Sequence, residues 1–126
     1  MHRNRRRLVG LAALALAGPC WAHHSFAMFD QTKTITLQGT VKQFQWTNPH
    51  CFIQVLVPSP DGPVEWSIEM HSPGASYREG WRPGTLQVGD KVTLVVNPAR
   101  DGTHGGQLVV ATDQSGQSLN RSRPKT

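Results

Sequence analysis

The sequence predicts a small, mainly β domain: a five-stranded Greek-key barrel of the OB type with one short helix between its third and fourth strands. Three observations predict it. Residues 32–70 carry three strand-like runs, the first and third alternating apolar with polar residues, separated by turn signals; residues 72–80 carry a helix opening and a glycine stop; two further strand-like runs follow at 91–96 and 107–112. Three strands in meander, a helix and two more strands is the order such a barrel needs. An antiparallel sandwich with one helix is the competing architecture.

In the first run, TKTITLQGTVKQFQW (residues 32–46), Ile35, Leu37, Val41 and Phe44 supply the apolar side with one shift in phase near Gly39. A half-buried strand with a bulge or sharp bend at that glycine is expected. Thr47-Asn48-Pro49 signals a turn. HCFIQVLV (residues 50–57) is the returning strand, with Phe52 or Ile53, Val55 and Val57 available to the core, and PSPDGP (58–63) is a hairpin tip. In residues 64–70, Val64, Trp66, Ile68 and Met70 share one face, while Glu65, Ser67 and Glu69 share the other, solvated one. Ser72-Pro73 suits a helix N-terminus and Gly80 its end, after which Trp81 plugs one end of the barrel. KVTLVV (91–96) is the fourth strand, 97–106 a polar loop and 107–112 the fifth strand. From Gln114 the chain turns to Ser, Gln, Asn and basic residues, so 114–126 reads as a disordered tail.

Ahead of the barrel, Arg3, Arg5, Arg6 and Arg7 precede an apolar run from Leu8 to Ala17, and Cys20-Trp21-Ala22 offers small residues at the two positions a signal peptidase inspects. Residues 1–22 are expected to be a signal peptide cleaved after Ala22, residues 23–113 the barrel, and the compartment the periplasm. The apolar run is shorter than the roughly 20 residues a spanning helix needs, so a soluble mature protein is expected. Two variants compete: a lipid-attachment role for Cys20, disfavoured by Ala17 and Pro19 around it, and twin-arginine export read from Asn4-Arg5-Arg6-Arg7-Leu8-Val9.

Removing four of the 13 basic residues with the signal leaves nine Lys and Arg against eight Asp and Glu. The mature chain is nearly neutral, and three of its basic residues sit in the tail, so a nucleic-acid partner is not expected. Cys51 alone remains of the two cysteines, which rules out an internal disulfide. No nucleophile elbow, phosphate loop or metal-hydrolase helix motif appears, and no enzyme is expected.

The segments AHHSFAMFD, GTVKQFQWTNPH, EWSIEM, GWRPGTLQVGDKVTL and NPARDG together resemble the small exported bacterial proteins grouped as domain of unknown function 6152. The resemblance spans nearly all of the mature chain. It implies export and a barrel-like fold and leaves activity open. His71 stands where relatives are expected to carry a small residue.

The candidate chemistry lies in the histidines. After cleavage the chain begins His23-His24-Ser25, and a terminal amine plus the Nδ1 of the same histidine closes a chelate ring on one metal ion; a further imidazole completes a T of three nitrogens. Tetragonal nitrogen ligation favours Cu(II). A second mode uses the amine, the backbone nitrogen of His24 and its ring. The expected ligands of this copper site are His23, His24 and His50, the last at a turn-to-strand junction, with His71 and His104 as possible additions. The simpler reading makes these polar residues beside a cleavage site, a turn and a loop. Met28 and Met70 are better read as packing, and Cys51, facing away from His50 along a strand, as a small buried residue. Failing a metal, the barrel is an interaction module for an envelope protein or small ligand, with Trp46 exposed as a contact and Arg100 as an anion contact or structural ion pair.

Overall fold

The computed structural model describes residues 26–120. A short 3-10 turn at Phe26–Met28 precedes β1 (Ile35–Gln45), β2 (Phe52–Val57), β3 (Val64–Glu69), α1 (Pro73–Arg78), β4 (Lys91–Pro98) and β5 (Gly105–Asp113). The strands close into a barrel in the order β1-β2-β3-β5-β4. All pairings are antiparallel except β3 with β5, which run parallel from Ser67 opposite Gly105 to Glu69 opposite Gln107. That closure, with a helix between the third and fourth strands, is the OB-type barrel the sequence predicts.

Alternation fixes which side chains face inward. Ile53 opposes Ile68 and Val55 opposes Trp66 across β2 and β3; Ile53, Val55 and Ile68 are wholly buried, as are Leu94 and Val96 of β4. The half-buried Trp66 and Val57 pack against this core. Cys51 is fully buried, as its position predicts. Trp81 is also fully buried, its ring centroid 5.9 Å from that of Phe44. In α1 the Ser72 side chain accepts from the Ala75 N–H and Pro73 occupies the first turn, the cap chemistry that the Ser-Pro pair signals.

The irregularity of β1 falls slightly away from its expected place. The register slips between Val41 and Gln43, so the bulge is at Lys42. Gly39 serves the bend: β1 pairs with β4 through Thr40 and with β2 from Thr40 onward, and at this corner the strands approach so closely that a Cβ on Gly39 would lie 2.5 Å from the Leu56 carbonyl oxygen and 2.7 Å from a Val55 methyl. Because those neighbours are backbone and a fully buried side chain, Gly39→Ala is expected to destabilise the domain by about 1–3 kcal/mol. Urea unfolding measures this; an unchanged midpoint would contradict the close approach.

Two boundaries differ from the sequence reading. The loop expected over 97–106 is shorter, because β4 continues to Pro98 and β5 begins at Gly105. The Gly105-Gly106 pair, which reads as loop, is the part of β5 that lies against Ser67 and Ile68 of β3, and a Cβ on Gly106 would sit 2.8 Å from a Val96 methyl. Order also persists beyond Gln114. Asp113 accepts from the N–H groups of Ser115 and Gln117, the Leu119 N–H donates to Ala111 at 2.9 Å, and Leu119 packs on the core. The rest of the predicted tail, 121–126, and the predicted signal, 1–22, lie outside the described residues. Among the described residues no helix is long and apolar enough to cross a membrane.

Candidate functional site

His50 ends the β1–β2 turn, which contains a cis Asn48–Pro49 peptide bond; Thr47 Oγ1 donates to its carbonyl at 2.8 Å. Its Nδ1 pairs with Glu69 of β3, and both side chains are largely covered, 23% and 12% exposed. A solvated face is therefore the wrong description of Glu69: β2 lies beside it, Phe52 opposite. Its strand neighbour Glu65 does face solvent and pairs with Lys42 at 2.6 Å. His71 sits just past β3, with Nδ1 2.7 Å from Glu79 at the end of α1. The Cys51 N–H donates to the His71 carbonyl at 3.0 Å and the Met70 N–H to that of Cys51 at 2.9 Å, so His50 and His71 flank one buried backbone junction. Burial pushes the Cys51 thiol pKa up, partly opposed by a hydrogen bond with Ser76, which fits an inert packing residue.

His104 belongs to the β4–β5 loop. Its carbonyl accepts from the Ser67 N–H at 3.0 Å, and its exposed ring lies on Trp66 with centroids 5.0 Å apart. Among the described residues no three of His, Cys, Asp and Glu gather into a group able to hold a metal ion. The structure therefore does not bring His50, His71 and His104 together as one set. His23 and His24 lie outside the described residues.

What sequence reasoning does not anticipate is the fastening of the segment just after those histidines. Phe29 is buried and bridges Ala99 in antiparallel sense. The Asp30 N–H donates to the Pro98 carbonyl at 2.8 Å, the Arg100 N–H to that of Met28 at 3.0 Å, and Arg100 Nε–H to that of Ala27 at 3.0 Å. Asp30 stands 4.0 Å from the guanidinium, and its carboxyl is held below its ordinary pKa, first by the Thr32 hydroxyl and then by the Thr32 N–H, with Arg100 and Lys33 adding to the effect. Arg100 thus takes its structural reading: it pins the N-terminal segment. Trp46, expected to be exposed, is half-buried and packs on the core, edge-on to Phe44 at 6.0 Å. The ring it meets, Phe44, is itself packed against Trp81, a neighbourhood that only the folded register reveals.

An open groove of about 630 Å³ runs between the end of β3, α1, β5 and the segment after Asp30, lined among others by Met70, His71, Glu79, Gln107, Leu108 and Asn120. Asn120 Oδ1 is buried there and has no hydrogen-bond partner among the described residues. Glu69, Glu79 and Asn120 are site residues that sequence reasoning misses. For the first, the only signal is its place two residues before His71; its pairing with His50 depends on a register that the local sequence does not state.

Residues 11–109 match the model of a family described as being of unknown function, DUF6152. No curated protein matches the chain. Among solved structures, the mitochondrial single-stranded DNA-binding protein of S. cerevisiae is similar at 12% identity and a TM-score of 0.48, over 65% of this chain and 93% of that one.

Proposed function

The chain belongs to the DUF6152 family, and from that premise we propose that it is an exported periplasmic protein that binds or transfers copper through the amine and imidazole of His23, exposed by cleavage after Ala22. The ion takes the amine and Nδ1 of His23, with a further nitrogen from His24 or from a barrel histidine; this donor set suits Cu(II). The protein is a carrier and carries out no catalysis.

The observation that supports this reading is the anchoring of the chain immediately after the histidines. A frayed terminus would bind copper weakly and without specificity. Here the segment from Ala27 to Asp30, which begins four residues after His23, is tied to the end of β4 and the β4–β5 loop by three hydrogen bonds and a buried phenyl ring. In protein exported by a bacterial host and desalted, one equivalent of copper per chain is expected to remain, and His23→Ala is expected to lose it. Equal retention by both would overturn the reading. A metal-free interaction module has one observation in its favour, the groove beside Asn120; binding of an envelope protein or small ligand that persists after copper is chelated would support it. The contacts that reading drew from sequence, Trp46 and Arg100, are both committed within the fold.

A further inference from the structure

We propose that the groove beside β5 takes an extended peptide segment of a partner protein, one that carries a Lys or Arg side chain, and adds it to the open edge of that strand. The proposal involves no metal and is independent of the N-terminal copper reading. Along one edge, β5 pairs with β4 from Gly106 to Asp113. Its other edge is covered in two pieces. β3 lies beside Gly105 to Gln107. The returning chain covers Ala111 to Asp113: Thr112 bridges Ser118, the Leu119 N–H donates to the Ala111 carbonyl at 2.9 Å, and the Asp113 N–H to that of Gln117 at 2.9 Å. Between these covers, Leu108, Val109 and Val110 have β4 as their only strand neighbour among the described residues. β3 cannot reach further, because it ends at Glu69 and the chain leaves for α1. Three strand residues span about 10 Å, and the groove of about 630 Å³ opens at this gap, with Leu108 and Val109 in its lining.

An uncovered strand edge is a template for another extended chain: backbone pairing supplies the affinity and the flanking side chains supply the selection. The lining suits both. Met70 is buried and Leu108 half-buried, an apolar floor for the side chains that an added strand turns inward. Asn120 follows the returning chain into the groove, and its buried Oδ1, which has no partner among the described residues, is an acceptor of the kind that a peptide N–H satisfies. Charge then selects the partner. Among the described residues that line the groove, Glu79 is the only carboxylate and there is no Lys or Arg. One Glu79 oxygen lies 2.7 Å from His71 Nδ1 while its side chain stays 38% exposed, within reach of an arriving cation. Asn97 gives its Nδ2–H to the Lys33 carbonyl at 2.7 Å and keeps its oxygen to accept. Acceptors thus outweigh cations in the lining, which favours a basic segment over an acidic one.

The test uses isotope-labelled exported protein with a metal chelator present and, as probe, the blocked peptide acetyl-Thr-Val-Lys-Val-Thr-amide, followed by nuclear magnetic resonance. The amide signals of Gln107, Leu108, Val109, Val110 and Asn120 are expected to shift. Exchanging Lys for Glu in the peptide is expected to weaken binding by about 3-fold or more, the size of an exposed ion pair. Glu79→Gln is expected to erase that preference while the signals of the rest of the barrel stay in place, which shows that the variant is folded. Methylating the backbone nitrogens of the peptide removes its ability to pair along the strand and is expected to abolish binding. No binding at millimolar peptide, shifts confined to surfaces away from β5, or equal binding of the methylated peptide would overturn the proposal. So would binding seen only in a chain that ends at Asn120, since the groove would then be closed by the chain itself. Each of these failures leaves the copper reading standing, because the experiment contains no free metal.

Discussion

Replacing Trp81 with alanine is expected to cost about 3–5 kcal/mol of folding stability, the range for truncating a buried aromatic ring to a methyl group. The residue is wholly buried after the end of α1, its N–H bonded to the Ser76 carbonyl at 3.0 Å and its ring against Phe44, which in turn meets Trp46 edge-on. Alanine there opens a cavity beside Phe44, and a closed barrel has little freedom to collapse into it. For a domain whose whole stability is on the order of 5–15 kcal/mol, that loss is a large fraction of the total. Trp81→Phe is expected to do far less harm, because the ring stays and the buried Nε1–H, which has no hydrogen-bond partner among the described residues, is removed. Urea denaturation of the two variants decides it; a loss below about 1 kcal/mol for alanine would mean that Trp81 is not the plug of the barrel end, since buried large-to-small changes cost more than that.

Adding a single glycine ahead of His23 is expected to weaken copper binding by about 100-fold or more, beyond the range that outer-shell changes produce. The extension leaves both histidines, the net charge and the barrel unchanged. It moves only the amine, and so opens the chelate ring that the amine forms with the His23 imidazole. Two side-chain imidazoles and a displaced amine remain, the condition of any histidine-containing peptide. The simpler reading, in which His23 and His24 are polar residues near a cleavage site, predicts no difference between the two proteins. Binding through the amine must also tighten as pH rises toward the region near 8 where an α-amine ordinarily loses its proton, because the metal competes with that proton.

The strands and their sequence order are legible because apolar and polar residues alternate in residues 64–70, because residues 52–57 form a short, mostly apolar run, and because Pro58 to Pro63 and Ser72-Pro73 punctuate them. Legibility failed where a residue's role depends on a distant neighbour. Gly105 and Gly106 look like loop until β3 is beside them and β4 lies so close that a Cβ on Gly106 would sit 2.8 Å from a Val96 methyl. Glu69 looks solvated until His50 is placed across from it. Leu119 looks like part of a polar tail until the turn at Asp113 returns it to the core. At the candidate site the histidines themselves were visible, but the hold of Arg100 on Ala27, a contact across 73 positions of sequence, was not.

The central claim is tested most directly by the native and denatured intact mass of the protein recovered from the periplasm of a host supplied with trace copper. The account predicts a denatured mass beginning at His23 and a native mass heavier by one copper ion. A chain beginning at His23 that carries no metal, a terminus at another residue, or a lipid on Cys20 would contradict it.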